Sequence, residues 1–223
     1  MQFGIQRHDW DIIILQASTY EGAGVAADTY YVKHGHKLDL VGHARELMDY
    51  VLSRDIEPSS VPQFGWNITW SRPADRNAWT EDKKRDMDAF FGGDQNLQYT
   101  LLMQTHQEVI APAFDFDYVL PVGTVIQNLK TTKLRSDEIY RDYGHATDFG
   151  RMAVAYLWYC LLFNKDITEC QLSPINYKVV RDEVVRLTQK DMELTQEQRD
   201  ILVEAVGNTL KTPFEVTQSQ YVE

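Results

Sequence analysis

Asp142 and His145 stand three residues apart in the stretch IYRDYGHATDFGRMAVAYLWY, residues 139–159, just ahead of a long amphipathic run. A serine hydroxyl is a poor nucleophile at neutral pH, so hydrolases give it a histidine base and orient that imidazole with a carboxylate. An Asp-x-x-His turn lets both groups come from one loop. The histidine takes the serine proton, and the aspartate holds its tautomer and stabilises the imidazolium that forms. The same spacing also suits a plainer role, in which Asp142 caps the turn or pairs with Arg141 or Arg151.

Other residues invite chemistry less strongly. His34, His36 and His43 in KHGHKLDLVGH suggest a metal, but Asp39 is the only carboxylate among them and no cysteine joins them, so a polar approach to a helix is the simpler reading. Asp115 and Asp117 flank the start of a strand, where solvation or capping explains them. Trp66, Trp70 and Trp79 could stack on sugar rings. Trp66 and Trp70 share the parity of Ile68, which places all three on one packed face of a strand and Asn67 and Thr69 on the other. Trp66 reads as core, while Trp70, at the strand's end, stays open between core and site. Cys160 and Cys170 lack Cys-x-x-Cys spacing and read as structural.

These side chains need a scaffold. WDIIILQ, residues 10–16, is a continuous β-branched run of the kind buried on both faces of a parallel sheet. A polar, glycine-containing stretch follows it. Residues 38–52 carry apolar positions at helical spacing, ended by Pro58 and Pro62. FGWNITW, residues 64–70, is a second strand. Residues 71–94 are polar and charged, which predicts a long surface loop with at most one helical turn. Asp94 can cap a helix running from Gln95 to about Val109. DYVLPVG, residues 117–123, is a third buried strand entering a turn. Thr147 then caps a helix whose Phe149, Met152, Ala153, Tyr156, Tyr159 and Phe163 face a sheet. The tail predicts two amphipathic helices, the second opening on Thr195-x-x-Gln198 as a capping box.

Strands alternating with helices give an α/β class with a mostly parallel sheet. We expect residues 1–165 to form the α/β domain and residues 166–223 a C-terminal helical extension packed on it. In such sheets ligands bind beyond the carboxyl ends of the strands. Gln16, Ser18, Trp70 and Thr124 project there, which makes them the expected substrate or oxyanion contacts.

Composition sets the outer bounds. The chain has 223 residues and a formal charge of −11, which repels a phosphate backbone and argues against nucleic acid as partner. Its longest apolar runs are too short to span a bilayer.

The quoted segments together resemble the SGNH/GDSL hydrolase superfamily and, within it, a bacterial subgroup catalogued as a domain of unknown function. The resemblance rests on WDIIILQAS (10–18), WNITWS (66–71), YVLPVGTVIQNLK (118–130) and YRDYGHATDFGRMAVAYLWY (140–159). It continues into LTQEQRDILVEAVGNTLKTPFEV near the C-terminus and covers nearly the whole chain. It implies a flavodoxin-like three-layer α/β/α sandwich and an esterase needing no metal or organic cofactor. It also implies cleavage of ester bonds, often acetyl groups on carbohydrate, with Asp142 and His145 as acid and base.

The superfamily's serine lies after the first strand in a Gly-Asp-Ser or Gly-Asn-Ser motif, which these 223 residues do not contain. The chain opens at what corresponds to the family's third strand, so we expect a portion of roughly 60 residues, two strand–helix units, to be absent. Ser18 is the best local substitute, although its segment corresponds to one lining the site rather than supplying the nucleophile. Three explanations stand: a truncated gene product, a complementary chain bearing the serine, or a non-catalytic descendant that binds without reacting. Absent strands would bare a sheet edge, which a second copy or a complementary chain would cover. The compartment stays open, since an export signal would lie in the absent portion.

Overall fold

In a computed structural model, the described residues are 10–26, 35, 37–53, 61–77, 79–170 and 194–222, together with the backbone of 177–180 and 183–186. The first two strands are β1 (Ile12–Gln16) and β2 (Gln63–Asn67), and β3 (Tyr118–Leu120) completes a parallel sheet of order β1-β2-β3. Ile14 stands beside Gly65 and Gly65 beside Tyr118, so these three share a face, while Leu15, Trp66 and Val119 share the other. This sequential order is that of the last three strands in a flavodoxin-like 2-1-3-4-5 sheet.

Helices cover both faces. On the face of Ile14, α5 (Val122–Leu129), α7 (Asp148–Phe163) and α8 (Gln196–Lys211) enclose Leu120, Ile126, Leu129, Leu157 and Leu202, all fully buried. The other face packs Leu15, Trp66 and Val119 against α1 (Thr19–Ala26), α3 (Glu81–Phe91) and α4 (Gln95–Thr105), with α2 (Leu40–Leu52) at its rim. The architecture is thus α/β/α, as the pattern of strands and helices predicts.

Several elements depart from their sequence readings. The polar stretch after β1 is helix α1. Residues 81–91 are helix α3 rather than loop: Met87 and Phe91, one turn apart, are buried, and Gly92 and Gly93 take left-handed φ angles of 59° and 75°. Those glycines end the helix, turning their amides onto the Asp88 and Met87 carbonyls at 3.1 Å each. The first predicted helix of the C-terminal extension is also a correction. Two antiparallel strands, β4 (Tyr177–Val180) and β5 (Glu183–Arg186), stand there, because paired valines favour an extended backbone over a helix. Finally, β2 ends at Asn67, so Trp70 escapes the alternation and packs on the Ile14 face instead of beside Trp66 and Ile68.

Two caps occur where the sequence put them. Asp94 accepts the Asn96 amide at 2.8 Å, and α4 continues as a π turn over His106–Ile110. Thr195 and Gln198 form the capping box of α8. Cys160 is a buried free thiol, its pKa pushed up to about 12 by burial and by neighbouring Cys170. Among the described residues, no helix is long and apolar enough to cross a membrane.

Candidate functional site

The loop carrying Asp142 and His145 is a tight reversal between the short helix α6 (Ser136–Ile139) and α7. Tyr140 and Ala146 pair across its base, and the Arg141 amide donates to the His145 carbonyl at 2.8 Å. Thr147 locks the loop to the helix: its hydroxyl donates to the Glu138 carbonyl at 2.6 Å and accepts the Gly150 amide at 3.2 Å. Thr147→Ala is expected to cost about 1–2 kcal/mol, read as a lowered urea midpoint, because it removes both a cap and the tie to α6.

Within this frame Asp142 faces His145 squarely. Its Oδ1 lies 2.8 Å and its Oδ2 2.9 Å from the imidazole Nδ1, and Oδ1 also accepts the Gly144 and His145 amides at 2.9 Å each. Loss of water raises the carboxyl pKa, but the Gly144 amide, the His145 ring and the His145 amide outweigh this and bring it down to about 2. The aspartate is ionised throughout the physiological range and fixes Nδ1 as the protonated nitrogen of a neutral imidazole. That directs the Nε2 lone pair away from the aspartate, on a side chain 63% exposed.

The structure ties this turn to one other predicted position, Trp70. The Trp70 indole donates to the Gly144 carbonyl at 3.3 Å, and Thr19, next to Ser18, donates to the Trp70 carbonyl at 3.1 Å. Trp70 also lines, with Ala146, Arg151, Val154, Trp158 and Phe163, an apolar groove of about 470 Å³ along α7. Gln16 is exposed at the end of β1, where its Oε1 accepts from the buried Asn67 side-chain amide. Asn67 Oδ1 is buried and has no partner among the described residues.

Other predicted positions fall elsewhere. Thr124 is fully buried, its hydroxyl donating to the Pro213 carbonyl at 2.6 Å; the turn after β3 winds straight into α5 and carries Thr124 into the core. Ser18 caps α1, accepting the Glu21 amide at 3.3 Å while Glu21 accepts the Ser18 amide at 3.1 Å. Asp117 accepts the Phe64 amide at 2.8 Å, a strand-end cap. Trp66 and Trp79 are core residues. Of the histidine set, His34 and His36 lie outside the described residues and His43 is exposed beside Glu46. Among the described residues no group of three or more His, Cys, Asp or Glu side chains could hold a metal.

Sequence reasoning missed a polar node behind the turn. The Lys130 ammonium donates to Ser71 Oγ at 2.8 Å, the Arg72 carbonyl at 3.1 Å and Gln95 Oε1 at 2.6 Å, and the Tyr140 hydroxyl donates to the Ser71 carbonyl at 2.8 Å. Only the fold assembles these groups, from segments that carry no motif. Burial lowers the Lys130 pKa to about 7 and pushes that of Tyr140 well above the ordinary phenol. Between pH 7 and the ordinary lysine value of 10.5, the unfolded chain therefore holds a proton that folded Lys130 has shed. Its contribution to stability is complete above 10.5 and is lost as pH falls toward 7, with a slope of at most about 1.4 kcal/mol per pH unit. Urea unfolding of the native protein and of Lys130→Met between pH 7 and 8.5 is expected to differ by such a rising slope.

With the geometry in hand, comparison with known proteins places the chain. The family model described as a domain of unknown function, DUF4886, matches residues 2–191. No curated protein matches the sequence. Among solved structures the chain is similar to a DUF4886 family protein from Bacteroides uniformis ATCC 8492, at 20% identity and a TM-score of 0.69, over 100% of this chain and 70% of that one. At that identity the likeness concerns the fold.

Proposed function

We propose that this chain, which belongs to the DUF4886 family, is the acid–base half of an SGNH-type serine esterase or deacetylase, acting on an acylated carbohydrate or small-molecule ester. The observation that carries the reading is the paired contact of the Asp142 carboxylate with His145 Nδ1, at 2.8 and 2.9 Å. An imidazole so held serves as base at Nε2. It would take the proton from a serine hydroxyl as Oγ attacks the ester carbonyl, then return that proton to the leaving alkoxide. Water, activated by the same Nε2, would release the acyl group from the serine. The exposed Gln16 amide, beside Asn67 at the strand ends, is suited to donate to the oxyanion alongside backbone amides. Trp70 would align the substrate against the Gly144 side of the turn. The serine would come from a segment or chain outside these residues, docked on the outer edge of β1, which is unpaired among the described residues.

A second reading, a binding protein that retains the crevice without reacting, draws on the serines themselves. Among the described residues no serine hydroxyl bonds His145; Ser18 caps a helix and Ser71 is buried. Fluorophosphonate labelling and p-nitrophenyl acetate hydrolysis separate the two. The 223-residue chain alone is expected to be inert. A form extended by the in-frame sequence encoded upstream of Met1, with a strand followed by Gly-Asp-Ser or Gly-Asn-Ser, is expected to label at that serine and turn over. An inert extended form, or a stop codon in place of the motif with no adjacent fragment, would favour the binding protein.

A further inference from the structure

The wall beside the Asp142–His145 turn is cationic and aromatic. Arg72 stacks its guanidinium between two rings, with its central carbon 4.8 Å from the Tyr143 centroid and 5.5 Å from that of Tyr20. Lys83, on α3, brings its ammonium to 5.1 Å from the same Tyr143 ring. Trp79 closes the cluster edge-on to Tyr143, with centroids 6.4 Å apart.

Two cations thus converge on one tyrosine in a chain whose formal charge is −11. Of the acids on the adjoining helix, Glu81 pairs with Lys84, Asp82 with Arg85 and Asp88 with Arg76, while Asp86 acts on the Tyr20 hydroxyl. Neither Arg72 nor Lys83 has a carboxylate partner among the described residues, and Arg72 Nε is buried without a hydrogen bond. Asp142 forms no ion pair with Arg72; its oxygens face two amides, the His145 ring and Arg141 Nε at 3.5 Å. Arg72 nevertheless touches the turn. A Cβ added to Gly144 would lie 2.4 Å from Arg72 Nη1, so only glycine lets the guanidinium rest on that backbone.

Aromatic faces hold cations in place but do not neutralise them. An anion does, and a guanidinium fork matches the oxygens of a carboxylate or phosphate in two parallel hydrogen bonds. We infer that Arg72 and Lys83, framed by Tyr20, Tyr143 and Trp79, bind an anionic oxygen group, carboxylate or phosphate, on the ligand presented to the Asp142–His145 turn. The inference deepens the esterase reading by narrowing its substrate to acidic esters, and it rests on that reading only for the word substrate.

The test reads binding without turnover, so its failure and that of the esterase reading are separate results. Amide NMR spectra of the 223-residue chain are titrated with glucuronate, glucose 6-phosphate and glucose at about 10 mM ionic strength, where charge attraction is least screened. One or both anions are expected to shift the Tyr143, Gly144 and His145 amides with an affinity at least about tenfold above that of glucose. Which anion binds tells carboxylate from phosphate. Arg72→Gln is expected to abolish the preference, and Arg72→Lys to restore part of it. Lys83→Gln, on a helix flank where folding is not at stake, is expected to weaken anion binding severalfold. Equal binding of glucose and both anions would overturn the proposal, as would unchanged anion binding in both Arg72→Gln and Lys83→Gln.

Discussion

His145→Ala, in a form of the protein that hydrolyses acetyl esters, is expected to lower kcat/KM by about 10²–10⁴-fold while leaving the urea midpoint in place. The loss follows from removing the group proposed to accept the serine proton. The fold is spared because the turn does not depend on the ring. Asp142 Oδ1 still accepts the Gly144 and His145 amides, Arg141 still bonds the carbonyl of residue 145, and the ring is largely exposed. Substitution at such a position moves stability by no more than about 0.5 kcal/mol. Asp142→Asn is a sharper variant: it keeps an acceptor for the amides but offers an N–H or a weaker acceptor to Nδ1, so the tautomer is no longer held. A comparable fall in turnover is expected. Since Asp142 titrates at about 2, the rate of that ester-hydrolysing form should show no inflection from it between pH 4 and 9. Unchanged turnover in His145→Ala would remove the pair from the mechanism.

Phe91→Ala is expected to destabilise the protein by about 3–5 kcal/mol, measured by urea denaturation. Phe91 is the last residue of α3, 1% exposed, with its ring 5.6 Å from that of Tyr20. Together with Met87 and the half-buried Phe90 it forms the apolar grip of a helix that is mostly charged. The vacated volume would lie beneath both Tyr20 and the helix that carries Lys83, so anion affinity is expected to fall with stability. Phe163→Ala provides the contrast. That ring is 62% exposed at the end of α7, and its loss is expected to stay within about 0.5 kcal/mol.

The contrast also explains which parts of the fold were legible in the sequence. The strands were readable because burial on both faces of a parallel sheet demands unbroken apolar runs, and IIIL and YVL have no competing periodicity. The starts of α4, α7 and α8 were readable because Asp94, Thr147 and Thr195 are caps with local chemistry. By contrast, α3 buries only two side chains one turn apart, too few to mark a stripe among eight polar or small neighbours and a half-buried Phe90. In α1, two glycines argue against a helix. Tertiary contact reverses that preference, since a Cβ on Gly22 would come within 2.9 Å of Leu102 Cδ2.

The site divides along the same line. Asp142 and His145 meet through a three-residue spacing, which a sequence can display. Arg72, Lys83 and Tyr143 meet only because α3 and the turn are brought together by the fold, and no spacing encodes that. The burial of Thr124 is not legible either, because the residues after β3 read as a turn and instead wind at once into α5.

The sequential parallel order of β1, β2 and β3 has a consequence for how the chain reaches this structure. None of these strands can find its neighbour through a hairpin; each pairing must close a long crossover before any ladder bond repays the lost chain entropy. The antiparallel pair β4–β5 and the single helices form on microsecond scales, but the sheet that presents the strand ends to the turn belongs to the slow, non-local class. The two sides of the crevice are therefore expected to mature at different times, with the Asp142 turn native-like on its helix before β1 has closed against β2.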